Sequence, residues 1–335
     1  MKKETLNNKT ILVTGGTGSF GQKFVEILLK EFKIKKIIIF SRDELKQFEM
    51  AKKFSLYQKK LRYFIGDIRD LSRLELAFQK VDYVIHAAAM KQVPACEYNP
   101  FEAIKTNIIG TNNIITAAVN SNVKKVLAIS TDKAAAPINL YGATKLASDK
   151  LIVAANNYSE KKFSVVRYGN VFGSRGSVVP QILEQSKKNI IYLTDKRMTR
   201  FSITLDQGVR YVLKCLSRMN GSEIFVPKIP SYRIMDLAKA VAPKCNVKFI
   251  GSRPGEKIHE ELITTSDSAN SIEYKDYFII LPQNLPRMNL NHYLTKYENY
   301  KGKPCKEDFS YNSFENIYLD QKQIKNFLKV FLEAQ

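Results

Sequence analysis

Ile11-Leu12-Val13-Thr14 runs directly into Gly15-Gly16-Thr17-Gly18-Ser19-Phe20-Gly21, and an amphipathic stretch over 20–32 follows. An apolar strand, a turn with glycines at 15, 18 and 21, and then a helix leave few folds open. Glycine lets the backbone turn tightly and approach a pyrophosphate with no Cβ in the way, and the free N–H groups of the first helical turn present the positive end of the helix dipole. A Gly-rich turn alone is weak, but here the strand before, the helix after and the following β unit all fit a dinucleotide loop. Gly15, Thr17, Gly18, Ser19, Phe20 and Gly21 are the expected cofactor contacts.

The rest of the first half repeats the pattern. Apolar strand-like runs at 10–14, 36–40, 62–65, 82–86, 125–130 and 163–167 alternate with helical spacing over 20–32, 45–54, 104–118 and 141–156. Continuous Ile, Val and Leu runs are what a parallel sheet buried on both faces demands. The fold class is α/β, a Rossmann-type doubly wound parallel sheet over 1–170 with a smaller substrate lobe over 171–335, the boundary soft and the two interleaved. In that lobe helices are expected over 205–219 and 234–242, a loop over 173–180, and no structure is assigned to the polar tail after Pro282.

At 335 residues, 44% hydrophobic and 25% charged, the chain can bury a sizeable core. No apolar run approaches the roughly 18 residues of a membrane helix, and the start, Met1-Lys2-Lys3-Glu4, lacks a signal-peptide core. Cys96, Cys215, Cys245 and Cys305 lie far apart with no metal-ligand spacing, as reduced thiols of a cytoplasmic protein without metal. A net charge of +21 invites a nucleic-acid reading, but the lysines are scattered in pairs such as Lys35-Lys36 and Lys187-Lys188 rather than gathered into a basic arm. No nucleic-acid or membrane partner is expected; a diffuse positive field equally attracts phosphorylated small molecules.

The second strand ends in Phe40-Ser41-Arg42-Asp43, where an acid would bind the ribose 2′-hydroxyl of NAD. Ser41 and Arg42 offer a hydroxyl and a cation to a 2′-phosphate instead, which favours NADP. Asp67 and Ile68 follow the third strand, Asp67 either accepting from the adenine amine or closing a turn. After the fourth strand Ala87, Ala88 and Ala89 leave room for a cofactor to pass, and His86 reads as structural.

Tyr141-Gly142-Ala143-Thr144-Lys145 puts a phenol and an amine at i and i+4 on one helix face, and Thr131 ends the preceding strand. An ammonium beside a phenol stabilises the phenolate and lowers its pKa. Joined to the glycine loop, this set resembles an extended short-chain dehydrogenase/reductase. Ser41-Arg42-Asp43-Glu44-Leu45-Lys46-Gln47, Ser130-Thr131-Asp132-Lys133, Arg167-Tyr168-Gly169-Asn170 and Gly173-Ser174-Arg175-Gly176-Ser177 narrow the resemblance. So do Arg197-Met198-Thr199-Arg200-Phe201 and Arg253-Pro254-Gly255-Glu256-Lys257. Together they resemble the inverting UDP-N-acetylglucosamine 4,6-dehydratases, which serve pseudaminic acid synthesis for flagellin glycosylation and related capsular or O-antigen pathways.

The resemblance implies that Thr131, Tyr141 and Lys145 serve a hydride step, Asp132 and Lys133 elimination and C5 chemistry, and Asn170, Arg200 and Arg253 the UDP group. Lys91 and Glu256 join the substrate contacts, and a homo-oligomer, often a hexamer, is implied. Gln92, Ala136 and Ser202 depart from the family pattern, where His, Asn and Trp are usual. Asp132 can act as an acid only with a raised pKa. Lys133 must be neutral to act as a base, and a cationic nicotinamide and Lys145 are expected to depress it. A UDP-sugar 4-epimerase, or a cofactor-binding regulator without catalysis, are the alternatives; the first has no use for an acid beside Thr131, and intact Tyr141 and Lys145 argue against the second.

Overall fold

Strand β1, Thr10–Thr14, is buried at all five positions and is the axis of the sheet. It pairs in parallel with β2, Lys36–Ser41, on one side and with β4, Tyr83–His86, on the other, while β3, Leu61–Ile65, lies outside β2. Beyond β4 come β5, Lys125–Thr131, and β6, Lys162–Tyr168, both parallel. The computed structural model describes residues 6–174, 176–282, 293–294, 297 and 301–333. The start at 1–4, Arg175 of the 173–177 motif, and much of the tail (283–292, 295–296, 298–300 and 334–335) lie outside the described residues.

The order β3-β2-β1-β4-β5-β6 reverses direction between β1 and β4, and ligands of such sheets sit in the crevice beyond the carboxyl ends at that switch. The sheet draws strands from both sides of residue 170. Ile224–Pro227 adds in parallel to β6, and Tyr277–Ile280, Ser271–Glu273 and Lys303–Pro304 complete ten strands, antiparallel to their neighbours. A three-stranded sheet, with Thr199–Ile203 between Asn170–Val171 and Ser231–Arg233, carries Arg200. Around it lies a second core that includes Phe172, Ile182, Met198, Tyr232, Leu237 and Ile324.

Three segments differ from the sequence reading. The helix expected over 104–118 is broken into Pro100–Ile104, a π-helical stretch Lys105–Ile109 and Gly110–Val119. Asn107 in that stretch is buried; its amide bonds the Met90 N–H (2.8 Å), the Met90 carbonyl (2.9 Å) and Thr144 Oγ1 (3.0 Å). An extra residue in one helical turn thus supplies a polar anchor between the 87–91 loop and the helix Leu140–Ala154. The 173–180 loop gives way at Val178 to the helix Val178–Ser186, whose first turn tolerates Pro180.

The tail contains a helix, Gln321–Glu333, whose Ile324, Phe327, Leu328 and Phe331 follow the i, i+3, i+4, i+7 spacing of a buried face. Phe327 meets Phe172 edge-on, with ring centroids 5.6 Å apart. Gly173 sits at φ +70° with the Phe331 ring where a Cβ would be. Gly173→Ala combines a left-handed backbone with overpacking and should destabilise the protein by about 1–3 kcal/mol, read as a lowered thermal midpoint. An unchanged midpoint would show that the terminal helix yields at that contact.

Candidate active site

The turn after β1 approaches the end of β4 closely. Gly15 takes φ +64°, and a Cβ there would lie 3.0 Å from the Ala88 N and Cα. Thr14 Oγ1 accepts the Ala87 and Ala88 N–H groups, each at 3.2 Å, and pairs with His86 Nδ1 at 2.8 Å. His86 Nε2 pairs with Thr111 at 3.2 Å, and burial, reinforced by the charge of Lys145, pulls its pKa down to about 3. It is a neutral brace for the Ala87–Ala89 turn.

The helix Ser19–Glu31 begins at Gly18 with no side-chain cap and no acid in its first turn. Helices starting after Asp43, Asp70, Asn139 and Thr204 are all capped by a side chain. The open N–H groups at Ser19 and Phe20 face a cleft of 570 Å³ lined also by Thr17, Ser41, Arg42, Asp67, Ile68, Ala87–Ala89, Tyr141 and Lys145. That cradle fits a dinucleotide: its glycine turn permits close backbone approach and its helix start suits a pyrophosphate. At the outer end Thr17 Oγ1 and Ser41 Oγ pair at 2.8 Å. Arg42, largely exposed, lies 3.4 Å from Asp67. Burial works to raise the Asp67 pKa, but the Arg69 side chain and N–H, with Arg42 beyond, hold it below the usual carboxylate range. Both Asp67 oxygens accept from Arg69, the turn role.

A second cleft of 340 Å³ opens beside the first and is lined by Asp132, Lys133, Asn170, Arg200, Arg253, Glu256 and Glu260. The two share Lys91, Thr131, Tyr141, Gly169 and Ser174, so the phenol of Tyr141 stands where they meet. Every substrate residue expected from the sequence lies on this second cleft. Asn170 Oδ1, Ser177 Oγ, Glu256 Oε2, Asp132 Oδ2 and Glu260 Oε2 are buried there without a hydrogen-bond partner among the described residues. Buried polar atoms are ordinarily paired, and these suit a ligand rich in hydroxyl and amide groups. Arg200 spends one guanidinium nitrogen on the Thr199 and Ile258 carbonyls, at 2.8 and 3.0 Å, and turns Nε toward Glu260. Arg253 is exposed at the cleft's edge, and burial lowers the pKa of Lys91.

The catalytic set is ordered by β5 and the helix that follows. Thr131 Oγ1 donates to Asp132 Oδ1 at 2.9 Å, and Lys133 Nζ lies 3.1 Å from the same oxygen and 3.1 Å from Glu260 Oε1. Asp132 is 1% exposed and Glu260 3%. Burial raises the Asp132 pKa against the pull of Lys133, which meets the condition for an acid. Glu260 goes the other way: burial works to raise it, and Lys133 with Arg200 brings it below the ordinary value. The two carboxylates around one ammonium are thus pushed in opposite directions, Asp132 toward its protonated form and Glu260 toward its ionised one.

Two expectations about charge are corrected. Lys145 does not depress Lys133; burial lowers the Lys133 pKa, but Asp132 and Glu260 outweigh it and hold the ammonium above the ordinary lysine value. Nor is the Tyr141 phenol drawn down: burial lifts it to about 12, and the opposing pull comes from Lys133 and a hydrogen bond with Thr131. Lys145 is buried one turn along, its pKa lowered by that burial and supported by the charge of Asp149.

Sequence reasoning missed Asp149 and Glu260, and named Arg167 only as part of the 167–170 motif, without a role. Asp149 continues the 141, 145 spacing by one more turn, a signal open to inspection. Ser130 Oγ donates to Asp149 Oδ2 at 2.7 Å, and Arg167 lies 3.4 Å from Asp149 and 3.4 Å from Asp267. Glu260, 128 residues beyond Asp132 in sequence, carries no local signal.

Fold and motifs together are those of an extended short-chain dehydrogenase/reductase. The model of the polysaccharide biosynthesis protein family matches residues 11–282. A Campylobacter jejuni protein named UDP-N-acetylglucosamine 4,6-dehydratase (inverting) is 52% identical, over 95% of this chain and 96% of its own. A Rickettsia rickettsii protein named UDP-glucose 4-epimerase is 40% identical over 94% of each. The X-ray structure of Pen from Bacillus thuringiensis is similar at a TM-score of 0.87, with 37% identity and 98% of both chains covered. The chain belongs to the polysaccharide biosynthesis protein family.

Of the departures from the family pattern, Gln92 lies against Gly176, and Ser202 is buried with a hydroxyl that has no partner among the described residues. Ala136 takes φ +42°, a left-handed conformation that Asn tolerates better than Ala. Ala136→Asn should therefore stabilise the protein by up to about 1 kcal/mol, read as a raised thermal midpoint; a lowered midpoint would assign the position to side-chain packing instead.

Proposed function

We propose that the chain converts UDP-N-acetylglucosamine to UDP-2-acetamido-2,6-dideoxy-β-L-arabino-hex-4-ulose by C4 oxidation, loss of the C6 hydroxyl and inversion at C5. The observation that carries this reading is the pair of buried Asp132 and half-buried Lys133, 3.1 Å apart, opening on the same cleft as Tyr141. The Campylobacter jejuni relative's name supports it. The epimerase name carried by the Rickettsia relative leaves that pair without a task, since exchanging a C4 configuration needs no acid at C6.

A nicotinamide dinucleotide, when bound, supplies the hydride acceptor at C4 and the hydride donor at C6. The protein does the rest. Tyr141, where the two clefts meet, takes the proton of the C4 hydroxyl, the charge of Lys133 opposing the burial that lifts its pKa, and the C4 ketone so formed acidifies the C5 hydrogen. Asp132, whose pKa burial raises, protonates the departing C6 hydroxyl. Lys133 gives its proton to Asp132, becomes the neutral amine that accepts the C5 proton, and is an ammonium again when water has left. Asn170, Arg200, Arg253, Lys91 and Glu256 hold the UDP-sugar, the cations facing its phosphates.

NADP is the cofactor in this reading, because exposed Arg42 and half-buried Ser41 line the outer end of the first cleft and would suit a 2′-phosphate. The product feeds nucleotide-sugar synthesis for surface glycans, pseudaminic acid among them. A cytoplasmic location rests on cysteines with no pairing in sequence. Self-association, to a hexamer, is supported by Tyr98, Phe101 and Ile109, exposed on neighbouring helical segments.

NMR of the protein with UDP-N-acetylglucosamine in deuterated water should give a 4-keto product with a C6 methyl, deuterium at C5 and the arabino configuration. A C4 epimer would overturn the reading. Tyr141→Phe should abolish turnover while cofactor still binds. Arg42→Ala should weaken NADP binding about 10–100-fold and leave NAD binding near its starting value; equal losses for both would favour NAD.

A further inference from the structure

Two carboxylates share the Lys133 ammonium, and only Asp132 neighbours it in sequence. Glu260 reaches it from just before the strand Glu261–Ile263. Its N–H donates to Ser313 Oγ at 2.9 Å, and its carbonyl accepts the Ser313 N–H at 2.8 Å, so the main chain is fixed independently of the side chain. Oε1 lies 3.1 Å from Lys133 Nζ and 3.7 Å from Arg200 Nε. Oε2 is buried on the substrate cleft without a partner among the described residues. One oxygen of Glu260 thus serves the amine while the other is left for a group that enters the cleft.

Resting on the function proposed above, we propose that Glu260 is a positioning residue for the C5 step, holding the Lys133 amine at the cleft and favouring the ammonium that forms when Lys133 accepts the C5 proton. The proton balance requires such a partner. Before elimination the proton of Lys133 has moved to Asp132, leaving a neutral amine, a neutral acid and ionised Glu260. The C5–H bond then breaks with its proton going to Lys133. Its electron pair forms the C5–C6 double bond, and the C6–O bond breaks with the Asp132 proton, releasing water. Lys133 is again an ammonium and Asp132 a carboxylate, so the three groups end in the ionisation they began with. Throughout, Glu260 keeps its charge beside the amine, which Asp132 cannot do while it holds a proton.

The charged and titratable groups facing this pair are Asp132 from its own turn, Tyr141 from the catalytic helix, Arg200 and Tyr232 from the small sheet, and Lys257 from the approaching segment. Arg200 and Lys257 oppose an ammonium at Lys133. Glu260 is therefore the one permanent anion favouring it among these groups.

The test compares wild type, Glu260→Gln and Glu260→Asp, each with NADP and UDP-N-acetylglucosamine in deuterated water, following C5 deuterium uptake, C6 water loss and kcat against pH. Glu260→Gln should slow uptake and water loss together by about 10²–10³-fold with KM near the wild-type value. The alkaline limb of its kcat profile should fall by about 1–3 pH units, because a cation loses a charge partner within contact distance. Glu260→Asp should recover most of that limb. Wild-type deuterium uptake with an unmoved limb in Glu260→Gln overturns the proposal. Should the Gln variant fail to fold, judged by NADP binding, the Asp variant decides: slowed uptake supports the role and wild-type uptake overturns it. A wild-type protein that yields a C4 epimer overturns the functional reading instead.

Discussion

Arg167 is 2% exposed, and a guanidinium that deep is tolerated only where carboxylates meet it. Asp149 meets it from the helix that carries Tyr141 and Lys145, and Asp267 meets it from beyond the substrate-lobe segments. Ser130, one residue before Thr131, joins the same carboxylate. One buried cation thereby fixes the catalytic helix against β5, β6 and the 262–267 segment. Removing it would leave Asp149 in the interior with only the Ser130 hydroxyl and the charge of Lys145 to offset its burial. The spacing between the phenol, the amine and the strand end depends on that constraint more than on helix propensity, since the catalytic helix has a mixed face with Gly142 and Thr144 buried beside Lys145.

The same requirement, applied at the cleft, produces chemistry in place of rigidity. Lys133 is partly exposed and sits between two carboxylates that burial would rather keep neutral. One ammonium serves both, and because burial raises the Asp132 pKa that carboxylate can take up the ammonium's proton while Glu260 stays ionised. An acid and a base are then a single proton transfer apart, and neither has to be drawn from solvent. Around Arg167 the ion pairs are enclosed in the core; at the carboxyl edge of the sheet Lys133 and its two carboxylates open on a cleft.

Much of this was legible in the sequence, and the boundary is physical. β1, the glycine turn and the Tyr141–Lys145 pair are local patterns whose spacing alone implies geometry. The strands of the first half announce themselves as Ile and Val runs because both faces are covered. The π-helical stretch escaped because it is caused by Asn107 reaching Met90 and Thr144 across the fold. The terminal helix had a readable apolar spacing that the polar surroundings obscured. The two misjudged pKa values counted cations and left out the opposing groups: the Lys133 ammonium responds to Asp132 and Glu260, and the Tyr141 phenol to its burial, which only tertiary contact sets. Glu260 could not be found from its own neighbours, for nothing between Arg253 and Glu261 marks one glutamate over the next.

The terminal helix has a consequence for the order in which a growing chain becomes competent. By the time residue 260 has been synthesised, both clefts have their lining residues and the glycine turn can already form. The Phe172–Ser177 loop between the clefts, however, gains the rings of Phe327 and Phe331 only some seventy residues later. A nascent chain can thus complete its dinucleotide cradle early, while the wall it shares with the sugar stays unbraced until the last helix has left the ribosome. Maturation of the two clefts is staggered in time, and the later one reports that synthesis has passed Phe331.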